Sequence, residues 1–408
     1  MTARRSPTDE PSAPAGAVGH RLAVARKLAG LSRAQLADRA QVSINLLSQV
    51  ERGDVPASPS LTAATARALG LDVETLHGQP YGPALCDPRA DHAGVPALRA
   101  ALISGDDPQP TDPPLTAVEL RARLDECDRD RADSGYAQLS AALPELLQHG
   151  YALAAEARPG AEAETAGALL TDAHLLVQTV AYRFGYLDLA MLANLLARSA
   201  ARASGDPLRV ALVCYERGLL RLHRGDYPGV LRIVDRAHTE IADQHSPAAE
   251  AVRAQLHLRQ AIAHARSGVA DRADEHLTAA RELIARGVPA SPYYNVIATA
   301  ANVDIHWVAV PVELADAATA LTRAEQIKIP TGEEPCRVGH HWIDLARAWT
   351  LHGDHTKAFE ALYQARAVAP QLTRYHPQAH ETLHLLAEHD RRATDTLAGF
   401  ADWAHITH

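Results

Sequence analysis

Gly185, Gly225, Gly268 and Gly353 punctuate the second half of this chain at intervals of about 40 to 44 residues, once a less distinct turn near residues 310–312 is counted. Each is preceded and followed by an apolar pattern of helical period. One interval holds a pair of helices, and a single pair cannot bury its own apolar face, so consecutive pairs must stack. Small residues recur at matching offsets: Ala190 and Ala197 after Gly185, Ala273 and Ala280 after Gly268, Ala358 and Ala365 after Gly353. Small side chains there let paired helices approach closely. A 47% hydrophobic content with only 4% aromatics agrees with an aliphatic, helical core, and 408 residues suffice for two or three domains. The fold class expected is all-α.

A second kind of punctuation governs residues 22–71. Ser32-Arg33-Ala34-Gln35 is a capping box, which starts a helix at Arg33 that carries Leu36, Ala37 and Ala40 inward. Gln41-Val42-Ser43 interrupts it, with Val42 placed to plug the core and Ser43 to cap a second helix, Ile44 to Arg52, which stops at Gly53. On that helix Ile44, Asn45, Ser48, Gln49 and Arg52 fall within roughly 140° of arc, opposite Leu46, Leu47 and Val50. One face packs and the other is free to enter a groove. A flanking helix over about residues 19–29 is expected to bury Leu22, Ala25 and Leu28. Ser60 is expected to cap another carrying Leu61, Ala64 and Leu69, and a fifth piece begins near Asp72. Between residues 18 and 53 stand Arg21, Arg26, Lys27, Arg33, Arg39 and Arg52 against Asp38 and Glu51, in a chain whose net charge is −9. The basic patch is local.

The segment LAVARKLAGLSRAQLADRAQVSINLLSQVERGDVPASPSLTAATARALGL resembles the helix-turn-helix domain of the Xre/Cro family, related to phage repressors. The resemblance implies a five-helix, lambda-repressor-like domain whose partner is double-stranded DNA. It places Ile44, Asn45, Ser48 and Gln49 at base edges and Arg33, Ser43 and Arg52 on sugar and phosphate. Two departures stand out. Gln41 occupies the turn position where the family usually has Gly, at a cost of about 1 kcal/mol unless the turn is reshaped. Arg33 replaces a frequent Gln, which favours phosphate or guanine over adenine.

The segment from His340 to Pro370, with Trp342, Leu345, Ala346, Trp349, Gly353, Ala358, Ala365 and Pro370, resembles a tetratricopeptide repeat, and residues 160–370 resemble a tetratricopeptide-like α-solenoid of long helices. Residues 116–158 are expected to add two helices, one of them kinked or broken at Pro144, and residues 376–404 a closing pair. The domains expected are a disordered N-terminus at 1–15, the DNA-binding domain at 16–80, a Pro-rich linker at 81–115 with one short helix at 95–103, and the repeat domain at 116–408.

Transferring the repeat's inward positions puts Asp172, Tyr182, Arg183, Tyr215, Gln255, Arg266, Asn302, His306, His340 and Arg347 on a concave wall. That mixture suits a peptide or polar small molecule. The combined architecture is similar to peptide-pheromone-sensing regulators and their actinobacterial relatives. It implies a homodimer in which a ligand alters the spacing of two DNA-binding heads, set on half-sites roughly 34 Å apart. The alternative is a DNA-tethered scaffold whose repeats bind a protein.

Other chemistry finds little footing. His380-Glu381-Thr382-Leu383-His384 matches the H-E-x-x-H pattern of zinc hydrolases, but it stands about 25 residues from the C-terminus, with only Glu388, His389, His405 and His408 as downstream ligands. A helix-surface His pair in the terminal cap is the preferred reading. Phosphate-cradling and nucleophile-elbow motifs are absent, so neither an enzyme nor a cofactor is expected. Cys86, Cys127, Cys214 and Cys336 are scattered, and no apolar run reaches the length of a membrane span. Reduced thiols and a cytoplasmic location are expected.

Overall fold

The computed structural model describes residues 16–81, 91–105, 107–110, 113–287, 293–389 and 395–404, and among these no strand occurs. The expected disordered N-terminus and Cys86 lie outside the described residues.

The N-terminal head consists of α1 (Val18–Leu28), α2 (Arg33–Ala40), α3 (Ile44–Arg52), α4 (Pro59–Leu69) and α5 (Val73–His77). Val18, Leu22, Leu36, Leu47, Val50, Leu61 and Leu76 form its core. The capping box is present: Ser32 Oγ accepts from the Gln35 amide at 3.2 Å, and Gln35 Oε1 accepts from the Ser32 amide at 2.8 Å. Gln41 takes the left-handed conformation, φ 56°, that the turn demands. Its side-chain amide donates to the Asp38 carbonyl at 2.7 Å, which also accepts from the Gln41 backbone N–H at 3.1 Å.

Three details depart from expectation. Leu28 is 85% exposed and Ala25 half-buried, because α1 turns Val18, Leu22, Ala23 and Arg26 inward. With Leu22 at the centre of that stripe, position 28 falls about 120° away. Leu46 is 37% exposed, outside the narrow strip that Leu47 and Val50 fill. Ser58, not Ser60, caps α4: its Oγ accepts from the Leu61 amide, and Pro59 follows as the first helical residue.

Behind the head, α6 (Val95–Ile103) packs on α8 (Tyr136–Glu156), beside α7 (Ala117–Ala132). Helix α8 runs through Pro144 without a break. Five antiparallel pairs follow: α9 (Ala161–Phe184) with α10 (Leu187–Ala203), α11 (Pro207–His223) with α12 (Tyr227–Glu240), α13 (Pro247–Arg266) with α14 (Ala270–Ala285), α15 (Ala300–Glu313) with α16 (Ala317–Gln326), and α17 (Pro335–His352) with α18 (His355–Val368). The chain ends with α19 (Pro370–Tyr375), α20 (Pro377–His389) and α21 (Asp395–Trp403). Ala190, Ala197, Ala273, Ala280, Ala358 and Ala365 are all fully buried where paired helices meet. This is an α-solenoid. The turn expected at 310–312 sits later, at Ala315, because α15 continues through Pro311 to Glu313. Ala315 has φ 59°, the conformation that Gly185, Gly225, Gly268 and Gly353 adopt in the other pairs.

The solenoid folds back on its own beginning. Arg131 of α7 reaches Glu334 at the N-cap of α17 at 3.2 Å, and Gln371 Oε1 accepts from the Ala137 amide at 2.9 Å. Asp91 accepts from Arg374 at 3.0 Å and from the Tyr375 hydroxyl at 2.6 Å. Leu139 and Phe184 share one core with Leu372, Tyr375 and Leu386. The inner helices therefore enclose a cavity.

Candidate functional site

The recognition face of α3 is built by the turn before it. Ile44, Asn45 and Gln49 are exposed, Ser48 is half-buried, and Leu47 and Val50 anchor the helix from the other side. Ser43 occupies the N-cap position with no side-chain cap hydrogen bond, so its exposed hydroxyl is not used by the helix. Arg52 donates to Ser48 Oγ and Asp54 Oδ2, each at 2.8 Å, which ties the two to the end of the face.

Arg33 is held from behind: its Nε donates to Glu51 Oε2 at 2.7 Å. Arg26 donates to both oxygens of the same carboxylate, at 2.6 and 2.9 Å. Burial alone would raise the pKa of Glu51; the two guanidinium groups prevail and hold it below the usual carboxylate range. Two of the six bases that made the segment basic thus share one carboxylate inside the head, while Lys27 and Arg39 stay exposed.

The cavity, about 180 Å³, lies among α9, α11, α13, α15 and α17. Of the residues expected on its wall, Tyr182, Arg183, Tyr215, Arg266, His306, His340 and Arg347 are there. Gln255, Asn302 and Asp172 are not. Gln255 is buried behind the wall, its amide 3.5 Å from the Asn295 carbonyl. Asn302 ties the start of α15 to the Ile297 carbonyl at 2.9 Å. Asp172 is enclosed by Arg121 and Arg209.

The wall also holds Arg131, Arg259, Glu313, Arg337, Asp344 and His376, which the reading of the sequence missed. Glu313 joins Arg266 at 3.0 Å to Arg347 at 2.9 Å. Burial would raise its pKa, yet the two arginines bring it down to about 2. Asp344, also bonded to Arg347, is pushed up to about 6, first by burial. Burial brings His306 down to about 4 and, aided by Arg183, puts His340 and His376 well below the ordinary imidazole value. These rings are neutral at pH 7.

The head is docked on this wall. Glu381 Oε1 accepts from the Val18 amide at 2.9 Å, at the first turn of α1. Ser60 Oγ donates to the Arg266 carbonyl at 3.2 Å and accepts from the Tyr227 hydroxyl at 3.1 Å. His223 Nε2 lies 3.0 Å from Glu74 Oε1. Gly225 comes so near α4 that a Cβ there would stand 2.7 Å from Ala63 Cβ. A smaller void, about 70 Å³, is lined by Pro59, Val73, His77 and Gln79 of the head together with Tyr182, Arg183, Arg266 and His376, which line the main cavity too.

The H-E-x-x-H segment is not on the helix surface as expected: His380, Glu381 and His384 are buried in this junction, where α20 packs against the head. His380 stacks on Tyr81, ring centroids 3.9 Å apart, and its Nε2 meets the Arg374 carbonyl at 2.6 Å. His384 lies against Gly16, and Glu381 holds α1.

Residues 17–77 match a family of helix-turn-helix domains. The match spans α1 to α5 and supports a DNA-binding regulator. No curated protein and no solved structure matches the chain. Among the described residues no helix is long and apolar enough to cross a membrane.

Proposed function

We propose that the chain is a homodimeric, ligand-responsive transcription regulator of Xre type, in which a tetratricopeptide-like solenoid sets the bearing of its DNA-reading head. The observation that carries this reading is the docking. The head shares a wall with the solenoid cavity through Tyr182, Arg183 and Arg266, while Ile44, Asn45 and Gln49 remain open to a major groove. Docking therefore fixes where the face points without covering it. A ligand that fits the cavity better in one arrangement of the inner helices shifts the head, and in a dimer it shifts the spacing of two heads. No catalytic step is assigned to the chain.

The test is genome-wide mapping of bound DNA, followed by binding assays on the recovered sites. Asn45→Ala and Gln49→Ala are each expected to cost about 1 to 3 kcal/mol at one base position and to relax preference there, whereas Arg39→Ala weakens all duplexes alike. Equal affinity of the unaltered protein for recovered sites and random duplex would refute the reading. Light scattering checks the dimer.

Glu381 supplies a second check. Burial raises its pKa to about 7 from an ordinary 4.5, against the lowering effect of the Val18 amide and Arg21. The folded chain thus holds a proton that the unfolded chain releases, and stability falls as pH rises from 4.5 to 7. Glu381→Gln keeps an acceptor for Val18 and is expected to flatten that slope in melts recorded across the window. Glu381→Ala removes the acceptor, and hydrogen exchange at the start of α1 is expected to quicken.

A further inference from the structure

Six arginines line the cavity against three carboxylates, Glu216, Glu313 and Asp344. Three of the arginines have acidic partners: Arg131 meets Asp128 and Glu334, and Arg266 and Arg347 share Glu313. The other three, Arg183, Arg259 and Arg337, have no carboxylate partner among the described residues. Arg183 Nη2 meets His340 Nε2 at 2.9 Å, Arg259 lies 4.2 Å from the centroid of the Tyr215 ring, and Arg337 Nη2 donates to Asn295 Oδ1 at 3.0 Å. In all three the Nε is buried with no hydrogen-bond partner.

Buried Nε donors left without a partner, on half-buried arginines, call for an acceptor. Among the described residues none accepts from these three Nε groups. His306, His340 and His376 are neutral, and the Glu216 carboxylate is engaged by the amides of Asn295 at 2.8 Å and Gln178 at 3.5 Å. The same cavity presents Leu222, Ile262, Ile305 and Ala309. The three arginines stand on α9, α13 and α17, so an acceptor common to them bridges the inner helices of alternate pairs. Arg183 also faces the void shared with the head.

We propose that this cavity binds a small amphiphilic anion, whose carboxylate or phosphate oxygens are held by Arg183, Arg259 and Arg337 while its apolar body lies on Leu222, Ile262 and Ile305. The planar forks of arginine suit both oxyanions. This assignment rests on reading the cavity as the sensing site and names what it senses.

The full-length protein is titrated with octanoate, octyl phosphate, octanol and octylamine, following heat release and the unfolding midpoint. Octanoate, octyl phosphate or both are expected to bind saturably and raise the midpoint, and the stronger of the two identifies the headgroup. Octanol, of matching apolar length, and octylamine are expected to have no such effect. An equal response to octanol or octylamine, or no saturable response to either anion, overturns the assignment, and this comparison needs no variant. Arg259→Gln and Arg337→Gln are each expected to weaken anion binding about tenfold; a folded variant with unchanged affinity also overturns it. Operator binding is measured in the same samples. Anion binding that leaves DNA affinity unchanged refutes the sensing role and leaves the anion site standing, whereas a DNA response to octanol alone does the reverse.

Discussion

Glu51→Ala is expected to unfold the DNA-reading head at temperatures where the solenoid remains folded. Glu51 is 1% exposed and its carboxylate is shared by Arg26, itself 7% exposed, and Arg33. Its removal leaves Arg26 buried beside an apolar core, and breaking such a pair from one side costs about 3 to 5 kcal/mol. A unit of roughly 60 residues rarely has more than that to lose. Differential scanning calorimetry should therefore resolve a low-temperature transition that the unaltered protein lacks, with specific DNA binding lost at 37 °C. Glu51→Gln keeps one acceptor for Arg26 and should lie between the two. A single transition at the original midpoint would show that the triad contributes little to the head.

The same triad marks a limit on reading charge from sequence. The resemblance places Arg33 on sugar and phosphate, and that placement does not reveal that its Nε also holds Glu51. Its reach back across α2 to Glu51 depends on how α1 and α3 pack, and no local pattern encodes that. The capping box fared better because it involves neighbours in sequence, Ser32 and Gln35 being three residues apart, although α4 is capped by Ser58 and not by the expected Ser60. The helix-turn-helix was legible for that reason, and Leu28 was misplaced because two adjoining helical stripes were nearly equal in apolar content.

The solenoid shows a similar division. Alanines five and twelve residues past Gly185, Gly268 and Gly353 exposed the repeat, and the fourth turn was misplaced because Ala315 stands where the others have Gly. For the cavity, half of the missing wall was within reach of periodicity. Arg259 lies on the helical face that joins Gln255 to Arg266, and Arg337 and Asp344 lie on the face of His340 and Arg347. The head's docking was beyond reach. It joins Val18 to Glu381 and Ser60 to Arg266, across hundreds of residues, through single hydrogen bonds that leave no periodic trace.

Glu313 offers the second large effect, one that pH resolves. Its carboxylate is the only partner of Arg266 among the described ion pairs and shares Arg347 with Asp344, so it fastens the inner helices α13, α15 and α17 to one another. Glu313→Ala strands two buried guanidinium groups and is expected to cost about 3 to 5 kcal/mol, read as a lowered midpoint for the solenoid transition. The acid limb adds an independent measurement. With a folded pKa of about 2 against an ordinary 4.5, Glu313 contributes stability that is complete above pH 4.5 and disappears as pH falls toward 2. Asp344 acts with opposite sign: at about 6 against an ordinary 3.8, it opposes folding increasingly as pH rises between those values. The two windows barely overlap, so a melt series from pH 2 to 7 separates them. Glu313→Gln should flatten the limb below pH 4.5, and Asp344→Asn the slope above it. Removing the Glu313 charge also removes a repulsion that helps hold Asp344 high, so the Asp344 slope should shrink in the Glu313 variant. An acid limb of unaltered steepness in Glu313→Gln would mean that other carboxylates govern acid unfolding and that the Arg266–Glu313–Arg347 bridge is not the fastening assigned to it.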